Sequence, residues 1–252
     1  MGRPEKIRAM VFAAGLGTRL KPLTDSMPKA LVRVGGEPLL AHVLRRLKEA
    51  GITDAVVNVH HFSDQIIDWL STHDTGMNIR ISEEREAPLE TGGGILHARK
   101  LLGRKPFLVH NVDILSDLDI PAFIAAARPG ALATLLVSER KTQRYLLFDE
   151  GMRLKGWTNV ATGEVRSPDA KLNPAECRKL AFDGVHFLSP EIFAAFGRYG
   201  FGGRFSIIDF YVRACADEPI YGFVQPGLRM MDIGKLETLA AAEDFLRELG
   251  GR

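Results

Sequence analysis

Short, nearly unbroken apolar runs alternate with helical periodicities along the first third of the chain. Residues 7–14 form the first run, the pattern of a strand buried on both faces of a sheet. Pro38 stands where a helix can start, and Leu39, Leu40, Val43, Leu44 and Leu47 recur at helical spacing until Gly51 ends it. Residues 55–59 read as a second strand, and Ser63 is placed to cap a helix reaching Trp69 or Leu70. Residues 79–82 supply a third strand. A glycine cluster then leads into a helix over 94–102, and residues 107–111 give a fourth strand ending in polar Asn111 and Asp113. This alternation predicts parallel βαβ units in a doubly wound sheet.

The second half has a different rhythm. Residues 133–138, 145–148, 154–157 and 180–188 read as strands, with turn signals at Asp149-Glu150-Gly151 and Thr162-Gly163. They are expected as antiparallel additions to the same sheet. Ser206 is suited to cap a helix running to about Cys215, residues 220–224 form a further strand, and 235–249 a terminal amphipathic helix. No repeat or linker divides the chain, so one domain over residues 1–252 is expected, changing character near residue 115.

Composition adjusts this picture mainly by exclusion. Hydrophobic residues are 46% and charged residues 25% of 252, which excludes disorder as the main state. Lys and Arg number 33 against 31 Asp and Glu, a net charge of +2 that gives no reason to expect nucleic-acid binding. Cys177 and Cys215 cannot build a disulfide framework or a closed zinc site. The apolar residues after Arg3 and Lys6 faintly resemble a secretory leader, but Gly15-Leu16-Gly17-Thr18-Arg19 breaks them early. No window has the roughly 20 apolar residues of a membrane-spanning helix. A cytoplasmic protein without membrane contact is expected.

The chemistry concentrates after the first strand. Gly15 and Gly17 let the backbone approach a phosphate closely and offer N–H donors to it. Neither the dinucleotide fingerprint nor the P-loop is present. Arg19 and Lys29 instead flank the loop with two cations, as triphosphate chemistry requires. Farther on, Asp113 closes an apolar strand and Asp232 follows another apolar stretch. Two carboxylates from distant strands can share one Mg²⁺, which takes the rest of its shell from water and phosphate oxygens.

Residues 13–31 closely resemble the signature of sugar-1-phosphate nucleotidyltransferases, a Gly-x-Gly-Thr-Arg-Leu turn followed by Pro-Leu-Thr and by Pro-Lys before an apolar residue. Glu90-Thr91-Gly92-Gly93-Gly94-Ile95 is similar to the second nucleotide-binding segment, particularly as found in bacterial N-acetylmuramate-1-phosphate uridylyltransferases. Phe182-Asp183-Gly184-Val185 resembles the sugar-pocket strand, and Met231-Asp232-Ile233-Gly234 the late motif whose aspartate binds magnesium. The likeness spans nearly the whole chain and touches mannose-1-phosphate guanylyltransferases as well.

That resemblance implies a three-layer α/β/α, Rossmann-like nucleotide-diphospho-sugar transferase fold, its mixed sheet mostly parallel with antiparallel additions in the second half. About 1–115 would bind the nucleotide and about 116–252 the sugar phosphate. It implies transfer of a nucleotidyl group from UTP or GTP to a sugar 1-phosphate, with Mg²⁺ as cofactor and pyrophosphate as second product. Arg19 and Lys29 take the catalytic positions. Ala14, Gly15, Gly17, Thr18, Thr91, Gly92 and Gly93 take the nucleotide-binding ones, Asp183 and Gly184 the sugar-binding ones, and Asp113 and Asp232 the metal. A monomer or homodimer acting on small molecules alone is expected.

Some positions depart from that pattern. Val112 stands where glycine is usual before Asp113, Met230 where tryptophan is usual, and Lys235 where threonine is usual; Lys235 is expected to start the terminal helix in solvent. Two rival functions follow from residues outside the pattern or altered within it. Asp117-Leu118-Asp119 imitates a glycosyltransferase metal motif, and changes around Asp113 and Asp232 would suit a non-catalytic sensor of nucleotide or sugar phosphate. His60, His61 and His110 are expected to be structural, and Phe193, Phe196, Phe201, Phe205 and Phe210 to be core or pocket wall.

Overall fold

A computed structural model describes residues 7–250, in which a ten-stranded mixed sheet is flanked by helices. The first half comprises β1 (Arg8–Phe12), a ribbon of β2 (Arg33–Val34) and β3 (Glu37–Pro38), α1 (Leu39–Glu49), β4 (Asp54–Val59), α2 (Ser63–Thr72), β5 (Asn78–Glu83), α3 (Glu90–His97), α4 (Arg99–Leu102) and β6 (Phe107–Asn111). The second comprises β7 (Ile114–Ser116), α5 (Ile120–Ala125), β8 (Ala133–Ser138), β9 (Arg144–Phe148), β10 (Leu154–Asn159), β11 (Glu164–Arg166), β12 (Arg178–Leu188), α6 (Ile192–Arg198), α7 (Ile207–Ala214), β13 (Ile220–Phe223), β14 (Met230–Asp232) and α8 (Leu236–Gly250). Among the described residues no helix is long and apolar enough to cross a membrane.

The strands run in the order β11-β10-β9-β12-β6-β1-β4-β5, with β8 on β12 and β13 on β8. β1 lies parallel to β4 and β6, and β4 parallel to β5. β12 runs antiparallel to β6, β8 and β9. The change of rhythm in the sequence is therefore the change from parallel to antiparallel pairing, apart from β13, which joins β8 in parallel. Ala9, Met10 and Val11 are fully buried because both faces of β1 are covered. Met10 belongs to one core and Ala9 and Val11 to the other.

The predicted stripe of α1 is the buried one: Leu39, Leu40, Val43, Leu44 and Leu47 are each 2% exposed or less. Each such side chain contributes about 1.5–3 kcal/mol through burial, so packing rather than propensity stabilises this helix. Gly51 ends it at φ 83°, its N–H donating to the Lys48 carbonyl at 2.9 Å.

Two local expectations are corrected. Ser63 is not a cap; Phe62 at φ 52° precedes the helix, and the Ser63 hydroxyl donates to Glu83 at 2.9 Å. The glycine cluster is not a turn before a helix, since α3 already begins at Glu90 and contains Gly92, Gly93 and Gly94. Tertiary contacts override their low helix propensity: a Cβ on Gly92 would lie 2.2 Å from the Phe205 ring, and one on Gly93 2.3 Å from the Gly203 carbonyl.

Candidate active site

The carboxyl ends of parallel strands open a crevice wherever their connections diverge. Here Phe12, the last residue of β1, pairs in register with Asn58 on one side and Asn111 on the other. A cleft of about 450 Å³ begins at these three residues and is roofed by the loop after β1. Ala14, Gly15, Gly17, Thr18 and Arg19 all line it. Gly17 adopts φ 63°, and a Cβ there would meet the Thr24 methyl at 2.8 Å, so the turn and its packing both require glycine. The Thr24 hydroxyl donates to the Gly17 carbonyl at 2.8 Å and fixes the loop. Gly15 has open space where a side chain would stand.

Lys29 is 8% exposed and its ammonium pairs with Asp113. Burying a lysine without such a partner is costly. The antiparallel ribbon of β7 and β14 sets Asp232 opposite Ile114, and the Ile233 N–H donates to the Asp113 carbonyl at 2.8 Å. Two residues more than a hundred positions apart are thereby clipped together. Arg19 completes the group: a Cβ on Gly234 would lie 2.8 Å from an Arg19 terminal nitrogen and 2.9 Å from Asp232 Oδ1. Gly234 thus leaves open the space that both the guanidinium and the carboxylate border.

Asp232 keeps solvent contact, yet crowding by protein around its carboxyl raises its pKa, and the like charge of Asp113 adds to the rise. Lys29, Arg19 and Arg140 oppose it. Two carboxylates held together against their mutual repulsion form an all-oxygen donor pair suited to a hard divalent cation. No group of three or more His, Cys, Asp or Glu arranged for a metal occurs among the described residues. A cation held by Asp113 and Asp232 alone would take the rest of its shell from substrate and water.

Thr91 also lines the cleft, its hydroxyl accepting from the Ile207 N–H at 3.0 Å. Gly92 and Gly93 lie one layer behind. Their N–H groups donate to the Phe205 carbonyl at 2.9 and 3.1 Å, so they hold Thr91 forward by close packing rather than facing the cleft themselves. Asp183 is likewise withdrawn: fully buried, it accepts from Arg140 Nε at 2.8 Å. Gly184, at φ 73°, lies where β12 slips register against β8, and a Cβ there would meet the Asn111 amide at 2.7 Å. Beyond this bulge a second cleft of about 550 Å³ opens, walled in part by Arg140, Phe182 and Ser206.

Sequence reasoning overlooked four lining residues, Asn58, Glu84, Asn111 and Arg204. Glu84 is 4% exposed and accepts from the Asn58 amide at 2.8 Å and the Leu89 N–H at 2.7 Å, leaving Asn58 Oδ1 buried without a partner. Arg204 reaches Glu90, itself at φ 61°, at 3.0 Å across the cleft rim. The one available signal was an asparagine inside or closing an otherwise apolar strand.

Other candidates prove structural. Asp117 accepts from Arg229 Nε at 2.8 Å and its backbone N–H at 2.9 Å, and Asp119 caps α5 by accepting from the Ala122 N–H at 2.9 Å. Both members of the Asp-x-Asp sequence are thus engaged away from the Asp113–Asp232 pair. Val112 packs 5% exposed without entering the left-handed region, so valine is accommodated there. Lys235 is exposed immediately before α8. His110 donates Nδ1–H to the Asn111 carbonyl at 2.8 Å, and burial pushes its pKa down to about 4. Phe196 stacks edge-on with Phe210 at 4.7 Å and Phe205 at 5.0 Å within the core.

The nucleotidyl transferase family matches residues 8–248. N-acetylmuramate alpha-1-phosphate uridylyltransferase of Caulobacter vibrioides is 39% identical over 255 residues, 98% of this chain and 100% of that protein. A mannose-1-phosphate guanyltransferase of Aspergillus fumigatus is 39% identical over 114 residues, 44% of this chain and 31% of its own length. The solved structure of HddC from Yersinia pseudotuberculosis complexed with GMP-PN aligns at a TM-score of 0.76 over 95% of this chain and 99% of that one, with 22% identity, a likeness of fold. With the family matched along nearly its whole length, the chain belongs to the nucleotidyl transferases and is a sugar-1-phosphate nucleotidyltransferase.

Proposed function

We propose that this enzyme transfers a uridylyl group from UTP to N-acetylmuramate 1-phosphate and releases pyrophosphate. The observation that carries the choice is the end-to-end match, at 39% identity, to a uridylyltransferase of that name. The match to a mannose-1-phosphate guanyltransferase supports GTP and mannose 1-phosphate as the second reading, but it covers 44% of the chain.

In this mechanism the loop of Ala14, Gly15, Gly17 and Thr18 presents backbone donors to the triphosphate, and Thr91, held by Ile207, borders the nucleoside. The sugar phosphate enters beside Gly184, with Asp183 fixing Arg140 at the wall. Its phosphate oxygen attacks the α-phosphorus in line while the bond to pyrophosphate breaks. The nucleophile is already anionic, so the protein positions it and needs no covalent intermediate. Arg19 holds the departing phosphates and Lys29 faces the α-phosphate, each placed where negative charge gathers. Asp113 and Asp232 would hold Mg²⁺, which supplies charge neutralisation to the phosphates. The reading takes residues 1–252 as one domain, a cytoplasmic monomer or homodimer acting on small molecules.

Pyrophosphate release from each of the four ribonucleoside triphosphates, with Mg²⁺ and a panel of sugar 1-phosphates, tests it. Release that requires UTP and N-acetylmuramate 1-phosphate is expected. Release with another pair renames the substrates, and triphosphate binding without turnover replaces the enzyme by a sensor.

A further inference from the structure

The floor of the second cleft is one face of the β9-β10-β11 strands. Register aligns Arg144, Asn159 and Glu164 in one row across that face, and Leu146, Trp157 and Arg166 in the next. Three arginines line the cleft, and two are already engaged. Arg140 donates to Asp183 at 2.8 Å and to the Phe182 carbonyl at 2.9 Å. Arg166 donates to Asp209 at 2.6 Å and lies over the Trp157 ring, 4.2 Å from its centroid.

Arg144 differs. Among the described residues its guanidinium has no acidic group within 4.0 Å and no side-chain hydrogen bond. Glu164 shares its row but stands two strands away, a spacing of about 10 Å. On the transfer reading above, the sugar of a bound sugar phosphate occupies this cleft, and a neutral hexose offers it only hydroxyls. Thr142, Asn159 and Ser206 are present to serve those. A guanidinium fork matches a carboxylate in charge and in shape.

We propose that Arg144 selects sugar 1-phosphates bearing a carboxylate on a ring substituent, and that it binds that carboxylate. The assignment rests on the cleft being the sugar site of the transfer reaction above. It adds the residue that separates an acidic hexosamine phosphate from its neutral counterpart. The lactyl ether of N-acetylmuramate is such a carboxylate; N-acetylglucosamine 1-phosphate lacks it.

The experiment compares wild type with Arg144→Gln and Arg144→Lys on these two sugar phosphates. The ratio of kcat/KM, acidic over neutral, is expected to fall at least tenfold in Arg144→Gln, through KM, as loss of a charge-assisted hydrogen bond implies. Arg144→Lys restores part of it. An unchanged ratio, including a loss shared equally by both sugars, overturns the assignment, as does a wild type that prefers the neutral sugar. Calorimetric titration with N-acetylmuramate 1-phosphate separates this from the reaction itself. Binding at least tenfold tighter to wild type than to Arg144→Gln supports Arg144 even if no triphosphate is turned over, in which case the transfer reading alone fails. Equal or absent binding in both proteins overturns Arg144 whatever the turnover.

Discussion

The ammonium of Lys29 is paired with the carboxylate of Asp113, and the β7–β14 ribbon holds Asp232 beside that pair. Lys29 thus balances two acids that would otherwise repel each other, in the cleft proposed to take the triphosphate. Lys29→Gln is expected to lower kcat for pyrophosphate release by about 100-fold, the effect of removing one preorganised charge from the transition state. Denaturant unfolding should register a loss of about 1–3 kcal/mol as Asp113 loses its partner. Unchanged turnover would place Lys29 in the structure but outside the chemistry.

The guanidinium of Arg19 and the carboxylate of Asp232 both border the space over Gly234 that a side chain there would fill. Arg19→Ala is expected to reduce kcat/KM by 100-fold or more, about 3 kcal/mol of transition-state stabilisation. Gly234→Ala should produce a smaller loss of the same kind, because its methyl group would lie within 3 Å of both side chains and displace them. A pyrophosphate assay on both variants checks the order of effects.

Asp232→Asn should raise the Mg²⁺ concentration for half-maximal activity at least tenfold, since neutral amide oxygen is a weaker ligand for a hard cation than carboxylate. Asp232 is exposed, so the melting temperature should move little. A titration of activity against Mg²⁺ that superimposes on wild type would remove Asp232 from the ligand pair.

Gly92→Ala forces a methyl group against the Phe205 ring, with both sides of the contact buried. Overpacking of this kind costs about 1–3 kcal/mol, which in a chain of this size lowers Tm by roughly 2–4 °C per kcal/mol. Because the same packing holds Thr91 at the cleft, KM for the triphosphate should rise as well.

His110 and His186 are buried, and burial pushes their pKa values down to about 4 and about 3. The Nδ1 of His186 shares a 2.5 Å hydrogen bond with the Tyr211 hydroxyl inside the core. Below the ordinary histidine pKa of about 6.5 the unfolded chain takes up protons that the folded chain refuses. Stability is therefore full above about pH 6.5 and falls between there and pH 4, by up to about 2.7 kcal/mol per pH unit for two such protons. Unfolding curves at pH 7 and pH 5 measure it, and His186→Gln should roughly halve the slope.

Periodicity and local chemistry settled a good part of this protein in advance. The apolar run before Gly15 specifies a strand by being short and buried on both faces, and the stripe from Leu39 to Leu47 specifies a helix by burial that repeats every 3.6 residues. The loop from Gly15 to Arg19 is legible because only particular residue types permit its turn. What the linear pattern left open depends on partners remote in sequence. The glycines of α3 pass for a turn until Phe205 and Gly203 are seen pressed against them. Asn58 and Asn111 become cleft residues only through their shared register with Phe12. Asp113 and Asp232 become a pair only when β14 is laid against β7, and Arg144 acquires a role only once Arg140 and Arg166 are seen to be occupied. Backbone preference acts over a few residues, whereas convergence of charge is decided by sheet register and packing between segments, which no local rule encodes.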